Sequence, residues 1–258
     1  MRHIGVIAAR EVRSLFVTPA AYVLLAGYAV LAGYFFFVGL GFFVQRLQQV
    51  QQMQMFDYLQ QMNLNSEVIG PSFGSFSVIL VFLIPLITMR TFAEERVNGT
   101  FELLLTSPLS TWEIVLGKYL GVLGPILAIV AISACYPALL LLYGNPEILQ
   151  TLAGLLGLFC YGATLGAIGC FASALTQNQI VAAVVAMIVG LMLYLLEFLA
   201  QLTPPGAGQE LIRYLGLSSH FQPALEGVVR TQDLVYYAIV VTFLLTVMRT
   251  AIESLRWR

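Results

Sequence analysis

The sequence predicts an all-α, polytopic membrane protein with six transmembrane helices. Of its 258 residues 59% are hydrophobic and only 10% charged, whereas a soluble domain carries about 25% charged residues. Apolar runs long enough to cross ~30 Å of hydrocarbon as a helix, about 20 residues each, recur six times. Helices follow because only a helix or a closed barrel satisfies the backbone in lipid. The formal net charge of -1 argues against a nucleic-acid partner held on a basic face. Cys135, Cys160 and Cys170 show no C-x-x-C spacing and read as small apolar side chains, neither metal ligands nor a disulfide framework.

The spans fall at about 20–44, 73–89, 114–142, 148–175, 180–202 and 234–248, within one domain covering 1–258. The second and sixth are short and borrow flanking residues. The first is too long for a signal-peptide core and lacks a cleavage site, so it reads as a retained anchor. Thr18 and Pro19 supply its N-cap and first-turn proline. Before it, residues 3–16 alternate Ile4, Val6, Ile7, Val12, Leu15 and Phe16 with Arg10, Glu11 and Arg13, the pattern of an amphipathic helix along the membrane interface.

An even number of spans places both termini on one side. Arg2, Arg10, Arg13, Arg90, Arg96, Lys118, Arg249, Arg256 and Arg258 share that side, against Arg46, Arg213 and Arg230 on the other, so the positive-inside rule makes the termini cytoplasmic. Segments 45–72 and 203–233 then lie outside. In the first, Leu47, Val50, Met53, Phe56 and Leu59 recur among glutamines, which extends the first span as an amphipathic helix.

The one substantial cytoplasmic loop runs from Arg90 to Glu113. The second span continues into it as a charged helix bearing Glu94, Glu95 and Arg96, and stops at Asn98-Gly99, a left-handed terminus. Thr100 can cap a short new helix with Glu102 in its first turn and an apolar body of Phe101, Leu103, Leu104 and Leu105. Pro108 ends it, and Ser110-Thr111-Trp112-Glu113 forms a capping box for the third span. A greasy, separately capped helix in a cytoplasmic loop either docks in a partner's groove or folds back on the membrane surface.

Glu-Glu-Arg-x-x-Gly-Thr-x-Glu-x-Leu-Leu-x-x-Pro, from Glu94 to Pro108 and followed by Gly117-Lys118, resembles the signature of permease subunits of the ABC-2 (type V) class of ATP-binding-cassette transporters. The likeness extends to Arg10–Phe16 with Pro19, the six spans and the segment before the last. Ser218-Ser219-His220-Phe221 and Gly227-Val228-Val229 with Asp233-Leu234 are most similar to the gliding-motility-type permeases. The resemblance implies that residues 100–106 are a coupling helix seated in a cytoplasmic ATPase subunit, with Glu94, Glu95, Arg96, Gly99 and Pro108 in support. It also implies outer re-entrant helices between spans five and six, in 203–233, a second permease copy or homologue, and a possible membrane partner with a large periplasmic domain. The bacterial inner membrane is the implied location.

Gly117-Lys118-Tyr119 lacks the upstream glycine and the Ser/Thr of a phosphate-binding loop. This chain is therefore expected to bind no cofactor and to be non-catalytic, with ATP and Mg held by the partner ATPase. Lys118 reads as a snorkelling residue at the cytoplasmic end of the third span, and Glu197 as an intramembrane ionisable group that pairs with Arg213 or contacts substrate. Gly117/Gly121 and Gly162/Gly166 suit close packing within the subunit. Two further readings stay open: a transducer that passes ATPase work to periplasmic partners without transport, and a hydrolase using Ser72 of Gly70-Pro71-Ser72-Phe73-Gly74 with His220, although the former sits at a helix entrance where a nucleophile elbow needs a strand-to-helix turn.

Overall fold

The computed structural model describes residues 2–54, 63–101, 109–143 and 146–256. In chain order these form α1 (Arg2–Val17), α2 (Pro19–Gln52), a π-helical turn (Asn65–Ile69), α3 (Gly70–Thr88), α4 (Arg90–Val97), α5 (Thr111–Tyr143), α6 (Ile148–Leu175), α7 (Gln179–Leu202), α8 (Ala207–Leu215), α9 (Leu217–Leu225) and α10 (Thr231–Arg256). No strand occurs among the described residues. Among the described residues six segments are long and apolar enough to cross a membrane: Pro19–Gln52, Asn65–Val97, Thr111–Leu141, Ile148–Leu175, Gln179–Leu202 and Thr231–Ser254. The short second and sixth spans gain residues at both ends. The first continues to Gln52, as the 45–53 periodicity requires; Phe56 and Leu59 lie outside the described residues.

The central helix is α6, with 67% of its apolar window buried, against 17% for α2 at the periphery. Its glycines make this possible. A Cβ at Gly154 would meet Phe73 at 2.6 Å, and one at Gly157 would meet Ala224 at 2.7 Å, while Gly162 and Gly166 face Ile126. At Gly169 the neighbour is the Thr88 hydroxyl. Small residues let membrane helices approach and gain van der Waals contact where no hydrophobic force drives association.

The second span breaks at Met89, between α3 and α4. Ser173 of α6 occupies the break: its Oγ donates to Met89 O (2.9 Å) and accepts from the backbone N–H groups of Phe92 (3.0 Å) and Ala93 (3.1 Å). A kink within an apolar bundle stands only when a side chain takes over the freed backbone groups. The same span opens on its other end with Asn65, whose amide donates to Glu147 O (2.9 Å) and accepts from Glu147 N (2.8 Å), tying the π-helical turn to the start of α6.

The N-terminal helix takes a more intimate position than its amphipathic pattern alone implies. Gly117, Gly121 and Gly124 of α5 meet Ile7, Glu11 and Val12 of α1, so the two helices run side by side in the same direction. The glycine stripe of the third span thus serves packing within the chain, against α1. Arg249 of α10 lies 5.2 Å over the ring of Trp112 at the start of α5. One end of the bundle therefore gathers α1, α4, the start of α5 and the close of α10.

A Cβ at Gly121 would lie 2.5 Å from the Glu11 Cβ, a backbone-proximal atom that cannot swing away. Gly121→Ala is expected to cost about 1–3 kcal/mol by overpacking, read as a lower thermal unfolding midpoint in detergent. Gly5→Ala, which meets nothing within 4 Å on α1, is expected to be neutral or stabilising.

Candidate functional site

The site is built where α1, α4 and α5 converge. Gly121 admits the stem of Glu11, whose carboxylate reaches back one turn to Lys118, 3.0 Å away. Glu95 of α4 approaches the same ammonium at 2.9 Å. The third proton of Lys118 goes to the carbonyl of Thr91 at 2.6 Å, and its nitrogen stands 5.1 Å over the Phe92 ring. Arg10 closes the cluster from its exposed side, 3.1 Å from Glu95 and 3.3 Å from Glu11.

Lys118, the only lysine in the chain, is 1% exposed. It does not snorkel to the interface: two carboxylates and a carbonyl satisfy all three donors inside the protein, which removes any need to reach water. Two cations and two carboxylates balance, and the local dielectric makes each pair depend on the others. Of these groups Glu95 and Lys118 stand out in the sequence, whereas their meeting with Glu11 and Arg10 does not. The one signal is a lysine flanked by Gly117 and Gly121, a stripe with no side chain of its own to bury.

The neighbouring signature residues are partly in view. Asn98 N–H bonds to Glu94 O (3.0 Å) and Gly99 takes φ +69°, the left-handed helix stop its type predicts. Thr100 Oγ1 donates back to Glu95 O at 3.3 Å; the helix that it is expected to cap lies outside the described residues. Thr18 behaves likewise, donating to Leu15 O at 2.7 Å with no side-chain cap on α2, while Pro19 holds the first turn as expected. Arg96 lies 4.8 Å over the Phe101 ring. Glu102, Leu103, Leu104, Leu105 and Pro108 lie outside the described residues. Beyond them the Ser110–Glu113 capping box is complete, with Glu113 accepting from Ser110 N (3.0 Å) and donating its own N–H to Ser110 Oγ (3.2 Å).

The opposite end holds a second buried polar cluster. After Pro204-Pro205-Gly206 the chain forms α8 and α9, two short helices where re-entrant ones are expected. Phe221 of α9 sits 5.6 Å from the ring of Tyr161, which lies thirteen residues into α6, about 20 Å along the helix at 1.5 Å per residue. His220 bonds through Nδ1 to Asp233 Oδ1 (2.7 Å) and through Nε2 to Tyr214 O (2.9 Å), and its ring stacks on Tyr236 at 3.8 Å. Both ring nitrogens are committed to structure.

Ser72 gives the hydrolase reading no support. It lies within α3, buried, donating to Val68 O at 2.6 Å as helical serines do, with no strand-to-helix elbow around it. Glu197 of α7 feels the charge of Arg213, but no direct ion pair joins them among the described residues. No metal-binding group of three or more His, Cys, Asp or Glu occurs among the described residues.

Six apolar helices packed through glycines, with a buried ion network at one end and two short inserted helices at the other, define a multi-pass helical membrane protein. The family described as ABC-2 family transporter protein matches residues 48–245. The chain belongs to that family and is a permease subunit of an ABC transporter, a kind of subunit that is generally non-catalytic and that partners ABC ATPase subunits. No curated protein matches the chain.

Proposed function

We propose that this permease couples ATP hydrolysis in a separate nucleotide-binding subunit, which holds the ATP and Mg, to export across the bacterial inner membrane, with both termini cytoplasmic. The observation that carries this reading is the ionic junction of Glu95, Lys118, Glu11 and Arg10. It fastens α4, the helix that leads directly into segment 100–106, to both α1 and α5. Breaking a buried pair costs several kcal/mol, so a displacement of α4 carries α1 and the third span with it. Segment 100–106 is the docking helix in this reading: Leu103, Leu104 and Leu105 enter the ATPase groove, with Glu94, Glu95 and Arg96 behind them. Two such permeases, identical or homologous, complete the pathway. The Ser218–Phe221 and Gly227–Leu234 motifs favour the gliding-motility-type branch and a membrane partner with a large periplasmic domain.

The test is to express the full chain with the products of its neighbouring genes and ask whether an ABC ATPase co-purifies with it. The wild type is expected to retain the ATPase, and Leu104→Glu to weaken retention by more than about tenfold, since a carboxylate in an apolar groove costs well over 1.4 kcal/mol. Unchanged association and ATPase stimulation in Leu104→Glu would overturn the docking assignment. ATPase association and turnover without movement of any substrate across proteoliposomes would replace export by force transduction.

A further inference from the structure

Between α1, α2, α3 and α5 lies a hollow of about 320 Å³, open on its side and walled almost entirely by apolar side chains, among them Phe16, Leu24, Leu25, Leu86, Ile87 and Pro125. Its size falls at the lower end of small-molecule sites. The α2 wall continues outward through Tyr22 and Val23, 58% and 70% exposed, so the hollow opens onto the surface that the spans present to lipid. Leu15, Thr18 and Arg90 also line a second, polar hollow completed by Glu11, Ser14, Thr91 and Glu94. The two are halves of one amphiphilic depression.

The charges around the polar half are specific. Glu11 is taken by Lys118 and Arg10. Arg90 and Glu94 stand one turn apart on α4, where opposite charges usually pair, yet no ion pair or hydrogen bond engages either side chain among the described residues. One free guanidinium, which lines both hollows, and one free carboxylate, which lines the polar one, thus sit beside an apolar hollow in a membrane-spanning bundle. A guanidinium binds phosphate bidentately, and a carboxylate binds an ammonium that still has protons to donate.

We infer that this depression is a site for a zwitterionic phospholipid with a primary-amine headgroup: an acyl chain fills the hollow, Arg90 holds the phosphate and Glu94 the ammonium. An anionic glycerol headgroup meets Glu94 without a cation to offer it, and a choline headgroup has no N–H to donate. Phosphatidylethanolamine is therefore preferred over phosphatidylglycerol and phosphatidylcholine. The inference needs the membrane spans and not the ATPase, so it stands or falls separately from the function proposed above.

The experiment is native mass spectrometry of the full chain in detergent, given equal amounts of the three lipids. Wild type is expected to retain phosphatidylethanolamine best. Arg90→Gln is expected to lower retention of all three by about tenfold, the worth of a hydrogen bond to a charged group. Glu94→Gln is expected to abolish the preference for phosphatidylethanolamine while total lipid retention persists. Ala21→Trp, which fills the hollow from α2, is expected to displace the lipid, and unchanged unfolding midpoints show that each variant folds. Equal retention of the three lipids by wild type, or unaltered retention in Arg90→Gln, would overturn the inference. So would loss of a dimer in Ala21→Trp with lipid retention intact, which would give the hollow to a second copy, or binding of inorganic phosphate in competition with lipid irrespective of acyl chain.

Discussion

Lys118→Ala is expected to destabilise the folded chain by about 3–5 kcal/mol, the range for removing one partner from a buried ion pair. The loss arises because Glu95 and Glu11, at 2.9 and 3.0 Å from the ammonium, are left with Arg10 alone, and Arg10 is 61% exposed and works through water. The carbonyl of Thr91 loses its donor as well. Thermal unfolding in detergent measures the effect. A second variant separates stability from coupling. Replacing the whole junction with neutral groups, Lys118→Met with Glu11→Gln and Glu95→Gln, is expected to recover much of the stability, because an apolar substitute for a buried pair is often neutral. If the junction transmits movement, this triple variant folds and binds the ATPase but no longer changes its turnover. Restored stimulation in the triple variant would leave the junction a purely structural role.

The second large effect is expected at the other end. His220→Ala removes the partner of Asp233 Oδ1, while Asp233 Oδ2 already lacks one among the described residues. A buried carboxylate without its hydrogen-bond donor costs about 3 kcal/mol or more. The ring also stacks on Tyr236 and meets Tyr214 edge-on at 5.3 Å, so truncation opens a space at the junction of α8, α9 and α10. The expected readout is faster proteolysis within 203–230 in His220→Ala, with cleavage elsewhere unchanged. Asp233→Asn, which keeps the shape and a hydrogen-bonding group, is expected to lose much less.

The two clusters differ in how far the sequence discloses them. Spans are legible because apolar length is a property of the chain itself; their ends are less so from hydropathy, which stops the sixth span short of the polar close of α10, whereas α4 is legible through its Asn98-Gly99 stop. Local chemistry is legible where it is reciprocal, as in the Ser110–Glu113 box, or where one backbone conformation is demanded, as at Gly99. It misleads at Thr18, whose hydroxyl finds an acceptor behind it in place of a donor ahead. Lys118 could not be placed from spacing at all, because Glu11 lies 107 residues away and a lysine near a span end has an ordinary interfacial explanation. His220 and Asp233 sit thirteen residues apart, close enough to notice, yet only the insertion of α9 against α6 and α10 brings them into contact.

The separation between Glu11 and Lys118 has a meaning in time as well as space. At about 5–20 residues per second, a ribosome takes roughly 5–20 s to travel the 107 residues between them. Throughout that interval the nascent N-terminal helix lacks the glycine stripe it lies against in the finished fold, and Glu11 has only Arg10 to pair with. An amphipathic helix suits the lipid surface during such a wait, and its place beside α5 in the finished fold supplies the counter-charge that lets the single lysine leave water.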